Sequence, residues 1–210
     1  MGIINVTPDS FSDGGMYFST KSAFDYAKKM IEEGADILDI GGESTRPGAS
    51  KVSEEEEISR VLPLISRIRT FYNNILISID TTKSNVARAA LNAGANIIND
   101  ISGLTMDPLM VKVAAEFNVP IVIMHMKGDP QNMQNKPYYK DIISEIHTFF
   151  DNQVKIVLDA GIDKSNIILD PGIGFGKTVD HNFLLLQKLR KFCEFKYPVL
   201  IGPSRKSFLG

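Results

Sequence analysis

Carboxylate, amide and cationic side chains recur at one kind of place in this sequence, the end of a short apolar run. "GIINV" carries Asn5, "ADILDI" Asp39, "ILISID" Asp80, "ANIIND" Asn99 and Asp100, "VPIVIMH" His125 and "NIILD" Asp170; "YPVLIG" is followed within a few residues by Ser204, Arg205 and Lys206. One polar strand end means little, because strands must end in something polar. Seven ends that collect Asp, Asn, His and an Arg-Lys pair describe a ring of hydrogen-bonding groups around one mouth. Carboxylates accept pairs of N–H bonds, so two Asp and an Asn facing inward suit a flat heterocycle rich in amino and imino groups. An anionic ligand alone would call for Arg and Lys throughout.

"DPGIGFGKT", Asp170 to Thr178, resembles a phosphate-gripping loop and fails the test for one. The P-loop pattern needs a glycine five residues before Gly176, and Pro171 stands there, with no N–H to donate and a fixed φ. The dinucleotide fingerprint fails as well, because Lys177 occupies its last glycine. The remaining reading is a loop in which Gly172, Gly174 and Gly176 let backbone and Phe175 come close to a ring; a tight strand-to-helix turn with no ligand is the plain alternative. Two further segments, 5–15 ("NVTPDSFSDGG") and 41–50 ("GGESTRPGAS"), are long for connections and rich in Gly, Ser and Thr. Such loops on a rigid scaffold serve as lids or binding segments, and Arg46 supplies a bidentate clamp for an anion.

The elements that must position these groups alternate. Helix-like periodicity fills 19–33, 53–71, 84–93, 108–117, 139–160 and 181–193, between the seven apolar runs. Ser53 precedes a Glu-rich first turn, and Gly34, Gly94 and Gly161 stand just past helix ends. Strands alternating with helices predict a parallel sheet covered by helices. Seven regularly spaced strands with no dinucleotide fingerprint favour an α/β fold of the TIM (β/α)8-type barrel over an open doubly wound sheet, and in that barrel every strand ends at the rim that carries the active site. The 210 residues read as a single domain with no linker.

Composition excludes several classes. A net charge of −2 argues against a nucleic-acid surface, and no apolar stretch is long enough to span a membrane. Cys193 is the only cysteine, so no internal disulfide forms and a reducing cytoplasm is the simplest setting. His125, His147 and His181 lack the spacing of a zinc site.

"MGIINVTPDSFSDGG", "GGESTRPG", "SIDTTK", "NIINDISG", "DPGIGFGK" and "GPSRKSFLG", in that order, resemble dihydropteroate synthases from the first residue to the last. That resemblance implies condensation of (7,8-dihydropterin-6-yl)methyl diphosphate with 4-aminobenzoate, releasing pyrophosphate in folate biosynthesis, with sulfonamides mimicking the benzoate. It implies that Asp80, Asn99, Asp170 and Lys206 hold the pterin, with Met124 and Phe175 packed against it, and that Asn5 helps hold a diphosphate-bound Mg2+. Thr45, Arg46, Pro47 and Ser207, again with Phe175, shape the aminobenzoate side, while Asp9, Ser10 and Phe11 belong to a lid. Asp80, Lys206 and Arg46 are the expected catalytic residues, and the complete protein is expected to be a cytoplasmic homodimer with small-molecule substrates. His125 is expected to be structural.

A (β/α)8 barrel needs an eighth strand, and the expectation is therefore seven strands with the eighth missing, a domain incomplete at its C-terminus. The resembled family carries on that strand an Arg and a His for the anionic leaving group, which leaves open the activity of these 210 residues alone. Two alternatives accompany this reading: an inactive fragment, and a pterin-binding barrel of the methyltetrahydrofolate type without this chemistry. "SRKS" and the "TRPG" loop argue against the second. A P-loop hydrolase is set aside because of Pro171.

Overall fold

The computed structural model describes residues 1–7, 15–45, 51–203 and 206, with side chains of the first helix described from residue 20 onward. Two compact units are distinguished, Met1–Ser44 with Ser50–Asn99, and Thr45–Ala49 with Asp100–Gly210.

The first unit runs β1 (Gly2–Asn5), α1 (Gly15–Glu32), β2 (Ile37–Gly41), α2 (Glu54–Phe71), β3 (Leu76–Asp80), α3 (Ser84–Asn92) and β4 (Ile97–Asp100). β1 pairs with β2, β2 with β3 and β3 with β4, all parallel. Period-two alternation divides the strands cleanly. Ile4, Leu38, Ile40, Ile77, Ile79 and Ile98 are fully buried and meet the apolar stripes of the helices, including Val61, Leu64, Ile65 and Ile68 of α2. The opposite face carries Asn5, Asp39, Ser78, Asp80 and Asn99, so polar groups alternate through what look like continuous apolar runs. α2 begins where the sequence predicts: the Ser53 side chain accepts from the Glu56 N–H at 3.2 Å, and four glutamates fill the first turn.

The second unit continues with α4 (Met110–Phe117), β5 (Ile121–Met124), α5 (Ile142–Asp159), a 3-10 turn at Lys164–Asn166, β6 (Ile167–Asp170), α6 (Val179–Gln187) and α7 (Arg190–Cys193). β5 pairs in parallel with β6. Phe150 and Phe192 anchor its core, rings edge-on with centroids 6.2 Å apart. The predicted helix 181–193 is divided into α6 and α7. The seventh apolar run joins the pairing at one bridge, Leu169 to Val199. Pro198 has no N–H, so only its carbonyl contributes, accepting from Leu169 at 2.9 Å, while Leu200 N–H returns to Leu169 O at 2.9 Å. The alternation of parallel strands and helices is that of the TIM-barrel class. Among the described residues, no helix is long and apolar enough to cross a membrane.

Candidate functional site

Three of the residues singled out in the sequence come to one level in the first unit. Asn5 is in register with Gly41, Gly41 with Asp80, and Asp80 with Asn99, forming a single row across four strands. Residues in register on a pleated sheet share a face. At Gly41 a Cβ would lie 3.4 Å from both Asn5 Oδ1 and Asp80 Oδ2, so the missing side chain leaves amide and carboxylate oxygens around one small opening.

Two residues below Gly41, on the same face, Asp39 is 4% exposed in the middle of β2. Its Oδ2 accepts from Asn99 Nδ2 at 3.0 Å. Burial pushes the Asp39 carboxyl up to about 6, with the Ser78 hydroxyl and then the Asn99 amide favouring the charged form. At the loop edge of this unit Lys83 Nζ meets Glu57 Oε2 at 2.5 Å and also Glu43. Burial works against that ammonium, and the two glutamates raise its pKa nonetheless.

In the second unit Met124 and Asp170 face each other in register at the ends of β5 and β6, both buried. Gly172 N–H donates to Asp170 Oδ1 at 2.7 Å and fixes the rotation of the carboxylate. The glycine-rich loop then folds onto the segment after β5. Gly172 and Gly176 have φ of +70° and +65°, and a Cβ on them would stand 2.0 Å from His125 O and 2.3 Å from Lys127 O. Only glycine permits that approach.

Lys177, the residue that mimics a phosphate-binding lysine, points inward. It is 3% exposed, with Nζ 3.1 Å from His125 Nδ1, and it donates to His125 O at 3.1 Å and Phe175 O at 2.8 Å. Burial pushes its ammonium down to about 7, the Asp170 charge opposing and Lys206 adding. His125 is pushed down to about 3, first by burial and then by Lys177 and Lys127. An imidazole of such low basicity, its Nδ1 facing the Lys177 Nζ, is a weak proton acceptor. The Lys206 ammonium sits 4.0 Å from the centre of the Phe175 ring.

Asp100 belongs to a turn rather than to the row. Its Oδ1 accepts from Ser102 N at 2.8 Å and Ser102 Oγ at 2.7 Å, and its Oδ2 from Leu104 N at 3.0 Å. Thr45 is half-buried. Asp9, Ser10, Phe11, Arg46, Pro47 and Ser207 lie outside the described residues. The sequence reading counted Asp39 among the strand ends around the mouth, whereas it lies in the middle of β2, and it gave no role to Lys177 or the Glu43–Lys83–Glu57 trio. For Asp39 the signal was present in the alternation of Leu38, Asp39 and Ile40; for the trio, whose members are far apart in the chain, no local signal exists.

A family model described as pterin binding enzyme matches residues 1–210. The dihydropteroate synthase of Synechocystis sp. is 51% identical over 210 residues, an alignment covering 100% of this chain and 72% of that protein. Among solved structures, the Yersinia pestis dihydropteroate synthase in a sulfonamide drug complex superimposes with a TM-score of 0.93 at 46% identity, over 100% of this chain and 76% of that one. The Clostridium difficile dihydropteroate synthase, solved in the presence of pteroic acid, gives 0.93 at 43% identity, over 100% and 77%.

Proposed function

This chain belongs to the pterin binding enzyme family, and we propose that it acts as a dihydropteroate synthase, joining a (7,8-dihydropterin-6-yl)methyl diphosphate to 4-aminobenzoate. The observation that carries the reading is the row of Asn5, Asp80 and Asn99 at neighbouring strand ends, a set of oxygen acceptors on the face opposite the one that carries Ile4, Ile40, Ile79 and Ile98.

In this reading Asp80, Asn99 and Asp170 accept the amino and imino hydrogens of the pterin, and Lys206 donates to its ring acceptors. Met124 packs against the ring face, a position that a polarizable thioether fills well. Phe175, Thr45, Arg46, Pro47 and Ser207 shape the aminobenzoate side, where a sulfonamide would compete, and Asp9, Ser10 and Phe11 close over both. The C–O bond to the diphosphate breaks as the aniline nitrogen bonds the methylene carbon, and the nitrogen then loses a proton. Positive charge on the methylene spreads into the pterin, and the carboxylates of Asp80 and Asp170 favour it as preorganised anions. An aniline is neutral at pH 7 and needs no strong base, so the weakly basic His125 is no obstacle.

A divalent ion fits the oxygens around Gly41. Asn5 Oδ1 and Asp80 Oδ2 border that opening, while among the described residues no group of three His, Cys, Asp or Glu could hold a metal. A hard cation carried by the diphosphate, keeping its waters and steadied by the Asn5 oxygen, matches this donor set. When bound, Mg2+ neutralises the diphosphate and eases its departure. The 210 residues act as a single pterin-binding domain of a cytoplasmic, homodimeric enzyme with no nucleic-acid or membrane partner.

The test is to supply the pterin diphosphate, 4-aminobenzoate and Mg2+ and to follow dihydropteroate by chromatography alongside pyrophosphate. Coupled appearance of both, inhibited by a sulfonamide, supports the reading. A folded chain that neither turns over nor binds the pterin contradicts it.

A further inference from the structure

Asp39 is a buried carboxylate that the proposed reaction does not use. Placing a charge in the middle of a parallel strand is costly unless the charge meets a defined need. Asp39 is in register with Ile3 on β1 and with Ser78 on β3, one step below the row of Asn5, Gly41, Asp80 and Asn99 and on the same face. Its Oδ2 takes one amide hydrogen of Asn99 at 3.0 Å, and the Ser78 hydroxyl on the neighbouring strand also favours its charged form.

The chemistry of the pair is asymmetric. A primary amide can present either its carbonyl or its NH2 to a given neighbour, and only the neighbours decide which. An ionised carboxylate accepts and never donates. Beside Asp39 the Asn99 side chain has one permitted orientation, Nδ2 toward β2, because the flipped amide would oppose two oxygens. Asn99 Oδ1 is thereby turned away from Asp39, and the amide reaches the row as an acceptor.

We propose that Asp39 is a positioning residue that locks the Asn99 amide as an acceptor, and so sets the preference of the site for a heterocycle presenting N–H at that edge. This rests on the pterin reading above and deepens it: Asn99 would discriminate between ligands of the same shape whose hydrogen-bonding pattern is reversed. Asp39 itself touches no substrate. An asparagine in its place could pair with Asn99 in either orientation, which would remove the lock while keeping the volume and a hydrogen bond.

The experiment compares wild type, Asp39→Asn, Asn99→Asp and the double exchange Asp39→Asn with Asn99→Asp. Calorimetry measures the Kd of hydroxymethyl-dihydropterin diphosphate and of two analogues: the 2-oxo compound, with a carbonyl for the amino group, and the fully oxidised pterin, whose N8 has lost its hydrogen. Circular dichroism checks folding. Asp39→Asn should keep the pterin Kd within about threefold, while its discrimination against at least one analogue falls about tenfold or more. Asn99→Asp sets two carboxylates together and should bind poorly or fold poorly. The double exchange restores one donor facing an acceptor-only partner, and it should recover both folding and discrimination. A merely structural aspartate would alter stability without changing the ratio of Kd values. Unchanged discrimination against both analogues in Asp39→Asn overturns the proposal, as does a double exchange no better than Asn99→Asp. If folded wild type binds no pterin at all, the functional reading fails and takes this inference with it.

Discussion

Asn99 and Asp100 are adjacent letters with opposite fates. Asn99 shares a register level with Asp80, whereas Asp100 faces the other way and uses both oxygens on Ser102 and Leu104. The run "NIIND" holds both residues and cannot say which is the ligand group; the pleat decides, and it can be phased only once the partner strand is known. The distinction is testable. Asp80→Ala should weaken pterin binding by about 10- to 150-fold for each charge-assisted hydrogen bond lost, roughly 1.5–3 kcal/mol. Asp100→Ala should lower Tm and leave the pterin Kd of the folded protein unchanged. Calorimetry paired with thermal melts separates them, and the reverse pattern would show the assignment to be inverted. His125 gives a second residue-scale prediction. Its pKa falls to about 3 in the folded protein from an ordinary value of 6.5, so between those values the unfolded chain binds more protons and stability declines as pH falls. Asp39, raised to about 6, acts in the opposite direction over part of that window. The comparison is therefore a difference curve: relative to His125→Gln, wild type should lose unfolding free energy from about pH 6.5 down to about 3. Parallel curves would mean that the imidazole is not held neutral.

The elements were legible wherever local chemistry marks them. Ser53 before a glutamate-rich turn foretold the start of α2, and period-3.6 stretches located the helices. The glycine-rich loop after β6 was recognisable as a loop, but its purpose was not. "GFGKT" suggests phosphate because glycines and a lysine are the common vocabulary of that task. In the fold the glycines let the loop press against the carbonyls of His125 and Lys127, and the lysine ties it down from within. Nothing local distinguishes a lysine reaching outward from one buried beneath its own loop. Two substitutions measure this anchoring. Gly172→Ala must displace the His125 carbonyl from a 2.0 Å approach and should cost about 3 kcal/mol or more. Lys177→Met leaves the carbonyls of Phe175 and His125 short of a donor, and should lower stability by ~2–4 kcal/mol while raising the KM for 4-aminobenzoate as Phe175 loses its support. Denaturant unfolding and initial rates check both, and an unperturbed melt for either would refute the anchoring role.

At the scale of the molecule, the alternation of strand and helix fixed the fold class, because continuous apolar runs separated by amphipathic stretches have few other solutions. The same continuity hid the division of labour between the faces: Asp39, Ser78 and Asp80 look like interruptions in apolar runs until the strands are paired. The seventh run shows the limit of run-counting, since Pro198 reduces it to one bridge beside Leu169. Whole-chain similarity to dihydropteroate synthases, at 51% identity to the Synechocystis enzyme, names the family, while the oxygen acceptors at the strand ends give that membership its physical content. The most direct measurement is a calorimetric titration of the chain with hydroxymethyl-dihydropterin diphosphate in the presence of Mg2+, run beside Asp170→Ala, with circular dichroism on both. Saturable binding to wild type, weakened at least about tenfold in an equally folded variant, is the predicted result. A well-folded wild type that gives no heat of binding, or a variant that binds as tightly, would contradict the account.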